Sequence, residues 1–185
     1  FRYAADRFIR EHESESNSPQ PPARTTVQSS WECLYSGGAE QLQGISLLSK
    51  IRGNLCSNAK KILSGEEFKL VIDYEGKPLV APKPPWKGGF VWKKDKEGNP
   101  WIGVACESEG ASLWWPCKDV TNDEPDSASI NITVSKELTA VANGHLRSKE
   151  ENGNFTTYKW FVSYPINLYN VTLYVGKFSH LADSC

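Results

Sequence analysis

The sequence predicts an all-β domain, an antiparallel β-sandwich or curved sheet, preceded by a partly helical or disordered N-terminal segment. Three observations predict it. From Ser64 onward apolar residues recur with a period of two, turn-forming residues punctuate the chain at short spacing, and six to eight strand-like runs follow one another with no helical run between them. The 185 residues suit one compact domain with an appendage. The organisation expected is a divergent segment over 1–63 and a β-domain over 64–185.

Within the first part, Arg2 to His12 reads as a short helix. The stretch that follows, HESESNSPQPPARTTVQSS, is rich in Ser, Pro and charge and buries too little apolar area to offset the entropy of ordering it. Over 39–63, Leu42, Ile45, Leu48, Ile51 and Leu55 return every three or four residues, which predicts a helix weakened by Gly44 and Gly53.

In the second part Phe68, Leu70, Ile72 and Tyr74 alternate with Glu67, Lys69, Val71 and Asp73, giving a strand that ends at Glu75-Gly76-Lys77-Pro78. A proline-rich connector, APKPPWKGG, leads to a hairpin of Phe90 to Lys93 and Trp101 to Cys106, turned by Gly98-Asn99. Ala128, Ile130, Ile132 and Val134 mark a further strand. Asn143-Gly144 predicts a tight hairpin between Leu138 to Ala142 and His145 to Lys149, and Phe155 to Tyr164 and Leu168 to Val175 add two strands. The inward set expected is Phe68, Leu70, Ile72, Ile130, Ile132, Trp160, Val171 and Leu173.

Composition excludes several functions. Twenty-one basic and twenty-two acidic residues leave a net charge of −1, with no long basic run, so the counterion release that drives nucleic-acid binding has little to work with. No apolar run approaches a membrane span. The absence of methionine suggests a processed or truncated N-terminus. Five cysteines, at irregular spacing and without a C-x-x-C pair, argue against a structural zinc site. Cys106 and Cys117 could be bridged across a loop, although two packed thiols are the expected state. There is no H-E-x-x-H and no G-x-S-x-G, and His12, His145 and His180 lack ligand spacing. Asp119, Asp123, Glu124 and Asp126 lack the order of a calcium loop and read as turn formers around Pro125. Asn131, Asn154 and Asn170 each begin a sequon, meaningful only in a eukaryotic secretory setting.

The densest stretch runs from Trp101 to Asp126, WIGVACESEGASLWWPCKDVTNDEPD. Pro85-Trp86-Lys87-Gly88-Gly89-Phe90 and the Trp-Lys-Lys-Asp hairpin precede it, Gly110-Ala111-Ser112-Leu113-Trp114-Trp115-Pro116-Cys117-Lys118-Asp119 lies within it, and Asp123-Glu124-Pro125-Asp126-Ser127 and Val141-Ala142-Asn143-Gly144 follow. In this order and spacing the segments resemble the N-terminal β-domain of M1 zinc aminopeptidases over about Ser64 to Asp183, and the double tryptophan is most similar to bacterial forms of Bacteroidetes type. Residues 1–60 do not resemble the first strands of that domain.

The resemblance implies a fragment of an enzyme that removes N-terminal residues from peptides, with this chain lining one side of the substrate cleft. It implies a zinc held by two His and a Glu, with another Glu as general base, all in a catalytic domain missing from this sequence. The chain's partners would be that domain and a peptide with a free N-terminus; a bacterial parent implies a periplasmic or secreted setting. In the family a Glu or Gln before this segment binds the free α-amine. Aligned on Gly110, that position falls on Glu107, with Ala105 replacing the family's frequent Gln. Glu109, Gly110, Ala111, Trp114 and Trp115 are the accompanying candidates for cleft lining. Without the resemblance, Glu107 and Glu109 read as solvated carboxylates at a strand end. Seven tryptophans also keep open a stand-alone carbohydrate-binding module, while Trp92, Trp101 and Trp160 sit in alternating strands where packing is their ordinary use. A truncated product without activity is the third reading.

Overall fold

The computed structural model describes residues 2–11, 25–36, 67–76, 79–107, 111–115, 117 and 124–182, the first three of these ranges as backbone alone. Ten strands make up the described architecture: β1 (Arg2–Glu11), β2 (Thr25–Ser36), β3 (Glu67–Gly76), β4 (Gly89–Lys94), β5 (Pro100–Ala105), β6 (Ser127–Ser135), β7 (Thr139–Ala142), β8 (His145–Asn152), β9 (Phe155–Val162) and β10 (Leu173–Gly176). They form a six-stranded sheet in the order β3-β2-β1-β6-β9-β8 and a four-stranded sheet in the order β4-β5-β10-β7. Every pairing is antiparallel except that of β1 with β6. The all-β class expected from the sequence is the class observed.

The core lies between the sheets and follows from strand alternation. In β6 Ala128, Ile130, Ile132 and Val134 are buried, while Ser127, Ser129, Asn131, Thr133 and Ser135 are half-buried on the other face. Ile102 and Val104 of β5, Leu173 and Val175 of β10 and Ala140 of β7 belong to the same apolar cluster. Each large aliphatic side chain buried this way contributes about 1.5–3 kcal/mol. Trp160 packs against the cluster's edge, and its indole N–H donates to the Ala140 carbonyl at 3.1 Å. Of the expected inward set, Ile130, Ile132, Val171 and Leu173 are buried. The side chains of Phe68, Leu70 and Ile72 lie outside the described residues.

The β4–β5 hairpin forms in the register Gly89↔Ala105 to Lys94↔Pro100. Its turn is held by Asp95, whose carboxylate accepts from the Glu97 N–H (2.9 Å), the Asn99 N–H (2.8 Å) and the Asn99 side-chain amide (2.9 Å). These bonds, the Asn99 side chain foremost, hold the Asp95 carboxyl below its usual range.

Several expectations need correction. Arg2 to His12 is not helical: Arg2–Glu11 is a strand inside the sheet, paired with β2 on one side and β6 on the other, and two ladders of backbone hydrogen bonds outweigh a weak helical spacing. Among the described residues of 1–60, the stretch that does not resemble the M1 domain in sequence, β1 and β2 join the sheet that contains β6. The helix expected over 39–63 falls outside the described residues. Asn143-Gly144 does not close a hairpin. It carries the chain from one sheet to the other, since β7 pairs with β10 and β8 pairs with β9.

The backbone explains why this crossover takes the same two residues a hairpin would. Gly144 has φ +85°, and a Cβ there would sit 2.1 Å from the Phe161 carbonyl oxygen, so the chain passes tight against β9. Asn143 meanwhile accepts a hydrogen bond from the Thr172 N–H at 2.7 Å and ties the crossover to the approach to β10. Leu168 to Val175 is likewise not one strand. A single 3-10 turn, Leu168–Asn170, comes first, and the strand begins at Leu173. Among the described residues no helix is long and apolar enough to cross a membrane.

Candidate functional site

Glu107 is placed by the end of β5. Ile102, Gly103, Val104 and Ala105 are buried in succession, Cys106 remains in the core, and Glu107 is the first exposed residue beyond it. Its carboxylate has no ion-pair partner among the described residues. Glu109 and Gly110 lie outside the described residues.

Cys106 fastens this strand end. Its thiol donates to the Tyr169 carbonyl at 2.9 Å, with the Val171 carbonyl farther off at 3.8 Å. Burial pushes the thiol up to about 11, partly offset by the neighbouring Trp114 side chain, so the sulfur keeps its proton at neutral pH and remains a donor. Cys117 is also buried, and no disulfide joins it to Cys106. The packed-thiol expectation is the one observed.

After the strand end, a 3-10 turn over Ala111–Leu113 lets the N–H groups of Trp114 and Trp115 both donate to the Ala111 carbonyl at 3.2 Å. The two indoles tilt at 56° with centroids 6.2 Å apart, and only 2% of Trp114 and 1% of Trp115 is accessible. Ala111 is buried with them. These three residues belong to the same buried apolar cluster as Cys106.

A further set of contacts joins residues that the sequence read only as turn formers, a sequon and part of a strand. The Asn167 amide donates to Glu124, the Asn170 amide donates to Asn167 at 3.2 Å, and the Ile166 N–H donates to the Pro125 carbonyl at 3.4 Å. The 3-10 turn at Leu168–Asn170 therefore touches both the acidic segment and, through Tyr169, the strand end that carries Glu107. The available signal was Pro165 followed by two asparagines, which interrupts the alternation of a strand. Among the described residues no three His, Cys, Asp or Glu side chains gather as a metal site. The donor set needed for a catalytic zinc is not found among them.

No protein-family model matches the sequence, and no curated protein does. Solved structures do match. An M1 zinc metallopeptidase from Deinococcus radiodurans superposes with a TM-score of 0.67 at 16% identity, covering 95% of this chain and 41% of that one. The chain has a fold found in M1 zinc metallopeptidases. A mutant of the Deinococcus radiodurans M1 metallopeptidase bound to a Tyr-Ser-Ala substrate gives 0.65 at 16% identity, and a mutant two-domain M1 zinc metallopeptidase bound to L-arginine gives 0.59 at 18%, with the same coverages. At these identities the likeness is one of fold. The chain spans about two fifths of the length of the M1 structures it matches, 41% in each case.

Proposed function

We propose that this chain is the non-catalytic β-domain of a zinc aminopeptidase of the M1 type, lining one side of the cleft in which a peptide loses its N-terminal residue. The observation that carries the reading is the agreement of two independent lines. The residues from Pro85 to Gly144 resemble M1 aminopeptidases in order and spacing, and the whole chain superposes on M1 zinc metallopeptidases over 95% of its length.

In this reading Glu107 is the anchor for the free α-amine. An exposed carboxylate on a rigid strand end pairs with an ammonium group once the rest of the enzyme closes over it and excludes water, and that pairing registers the terminal residue of a peptide. Glu109, Gly110, Ala111, Trp114 and Trp115 are the further candidates for cleft lining; Ala111, Trp114 and Trp115 are buried in the described domain, so their part in this reading is packing behind the cleft surface. Zinc, which supplies a Lewis acid and activates water in such enzymes, belongs in this reading to another part of the protein. The partners are that catalytic domain and a peptide with a free N-terminus.

The carbohydrate-module alternative calls for coplanar exposed tryptophans. Among the described residues Trp86, 62% accessible, is the tryptophan that stands out from the surface, and Trp92, Trp114, Trp115 and Trp160 pack in or against the core. The test of the proposal is direct: the purified 185-residue chain, dialysed and then assayed with aminoacyl-p-nitroanilides, is expected to hold no stoichiometric zinc and to show no turnover. One tightly bound zinc per chain accompanied by hydrolysis would overturn the division of labour.

A further inference from the structure

The 3-10 turn at Leu168–Asn170 closes its own backbone only in part: the Asn170 N–H donates to Asn167 at 3.0 Å and the Val171 N–H to Leu168 at 3.2 Å, while the Tyr169 carbonyl takes its hydrogen bond from the Cys106 thiol. That thiol sits immediately before Glu107 and is buried in the core. The Cys106–Tyr169 bond thus ties the end of β5 to the 3-10 turn, with the backbone of Glu107 attached directly beyond it. From this geometry we infer that Cys106 is a positioning residue for Glu107, setting the place of its carboxylate through the bond to Tyr169. The inference rests on the amine-anchor reading of Glu107.

The chemistry at position 106 is selective. An aliphatic residue there fills space but leaves the Tyr169 carbonyl without its donor, and the strand end is then fastened by packing alone. Serine keeps an O–H in nearly the same place. Burial keeps the sulfur protonated, so the donor is present across the neutral range.

The experiment is a double-mutant cycle in the full-length enzyme with leucine p-nitroanilide as probe. Cys106→Ala is expected to lower kcat/KM roughly tenfold, since small misplacements of an orienting group are costly, and Cys106→Ser to recover most of the loss. In a Glu107→Ala background Cys106→Ala is expected to cost nothing more, because the group it positions is gone. An equal loss in both backgrounds, or no loss in either, would overturn the inference while leaving the anchor intact. If Glu107→Ala were itself without effect, the anchor and the positioning role would fall together. Should the alanine variant not fold, Cys106→Val, which fills the space without donating, takes its place with the same outcomes.

Discussion

Replacing Glu107 with alanine in the full-length enzyme is expected to lower kcat/KM for peptides with a free amine by roughly thirtyfold or more, with zinc content unchanged. The size follows from what is lost. Removing one partner of a charge pair in a closed, water-poor site costs about 2–5 kcal/mol, and each 1.36 kcal/mol is about tenfold in rate. Glu107 is suited to this because its strand is buried up to Cys106 and the carboxylate emerges without an ion pair of its own among the described residues. Glu109→Ala is expected to do much less. Steady-state kinetics with metal analysis of each variant make the comparison, and equal small losses would return Glu107 to an ordinary solvated carboxylate.

The second large effect is on stability. Ile132 is fully buried in the middle of β6, so Ile132→Asp both forfeits about 1.5–3 kcal/mol of apolar burial and places a carboxylate among Ile130, Val134, Leu173 and Val175. Domains of this size are stable by only about 5–15 kcal/mol, and burying an unpaired charge costs several more, so the variant is expected to unfold. Asn131→Asp, one residue earlier and on the other face, falls in register with Lys159 of β9 and Asp6 of β1. Its change is expected to stay within about 1 kcal/mol, because cross-strand charge pairs are worth no more than that. Thermal melts followed by circular dichroism separate the cases. Equal melting temperatures would contradict the assignment of the two faces.

The parts of the fold that could be read in the sequence are those where one strand carries its own pattern. The alternation through Ala128, Ile130, Ile132 and Val134 fixes a buried and a solvent-side face whatever the strand's partner, and Gly98-Asn99 closes a hairpin whose strands adjoin in sequence. What could not be read depends on partners distant in the chain. Arg2–Glu11 has a mixed pattern, and its strand identity comes from lying between β2 and β6. Asn143-Gly144 supplies the same left-handed backbone to a hairpin and to a crossover, and only the pairing of β7 with β10 decides between them.

The candidate site divides in the same way. The choice of Glu107 as a candidate came from the resemblance, by alignment on Gly110, and the structure adds that it is the first exposed residue after the buried run of β5. The fastening of the strand end was not legible, because the Cys106–Tyr169 contact joins residues 63 apart and neither residue type announces it. The tryptophan doublet was legible as important but not as buried, since paired indoles serve a core or a surface equally well.

The most direct measurement of the central claim is the nucleotide sequence that follows the Cys185 codon in the gene. If this chain is the substrate-lining β-domain of a zinc aminopeptidase, the same reading frame continues into a helical H-E-x-x-H with a further glutamate downstream. A stop codon directly after Cys185, or a continuing frame without that motif, would contradict it.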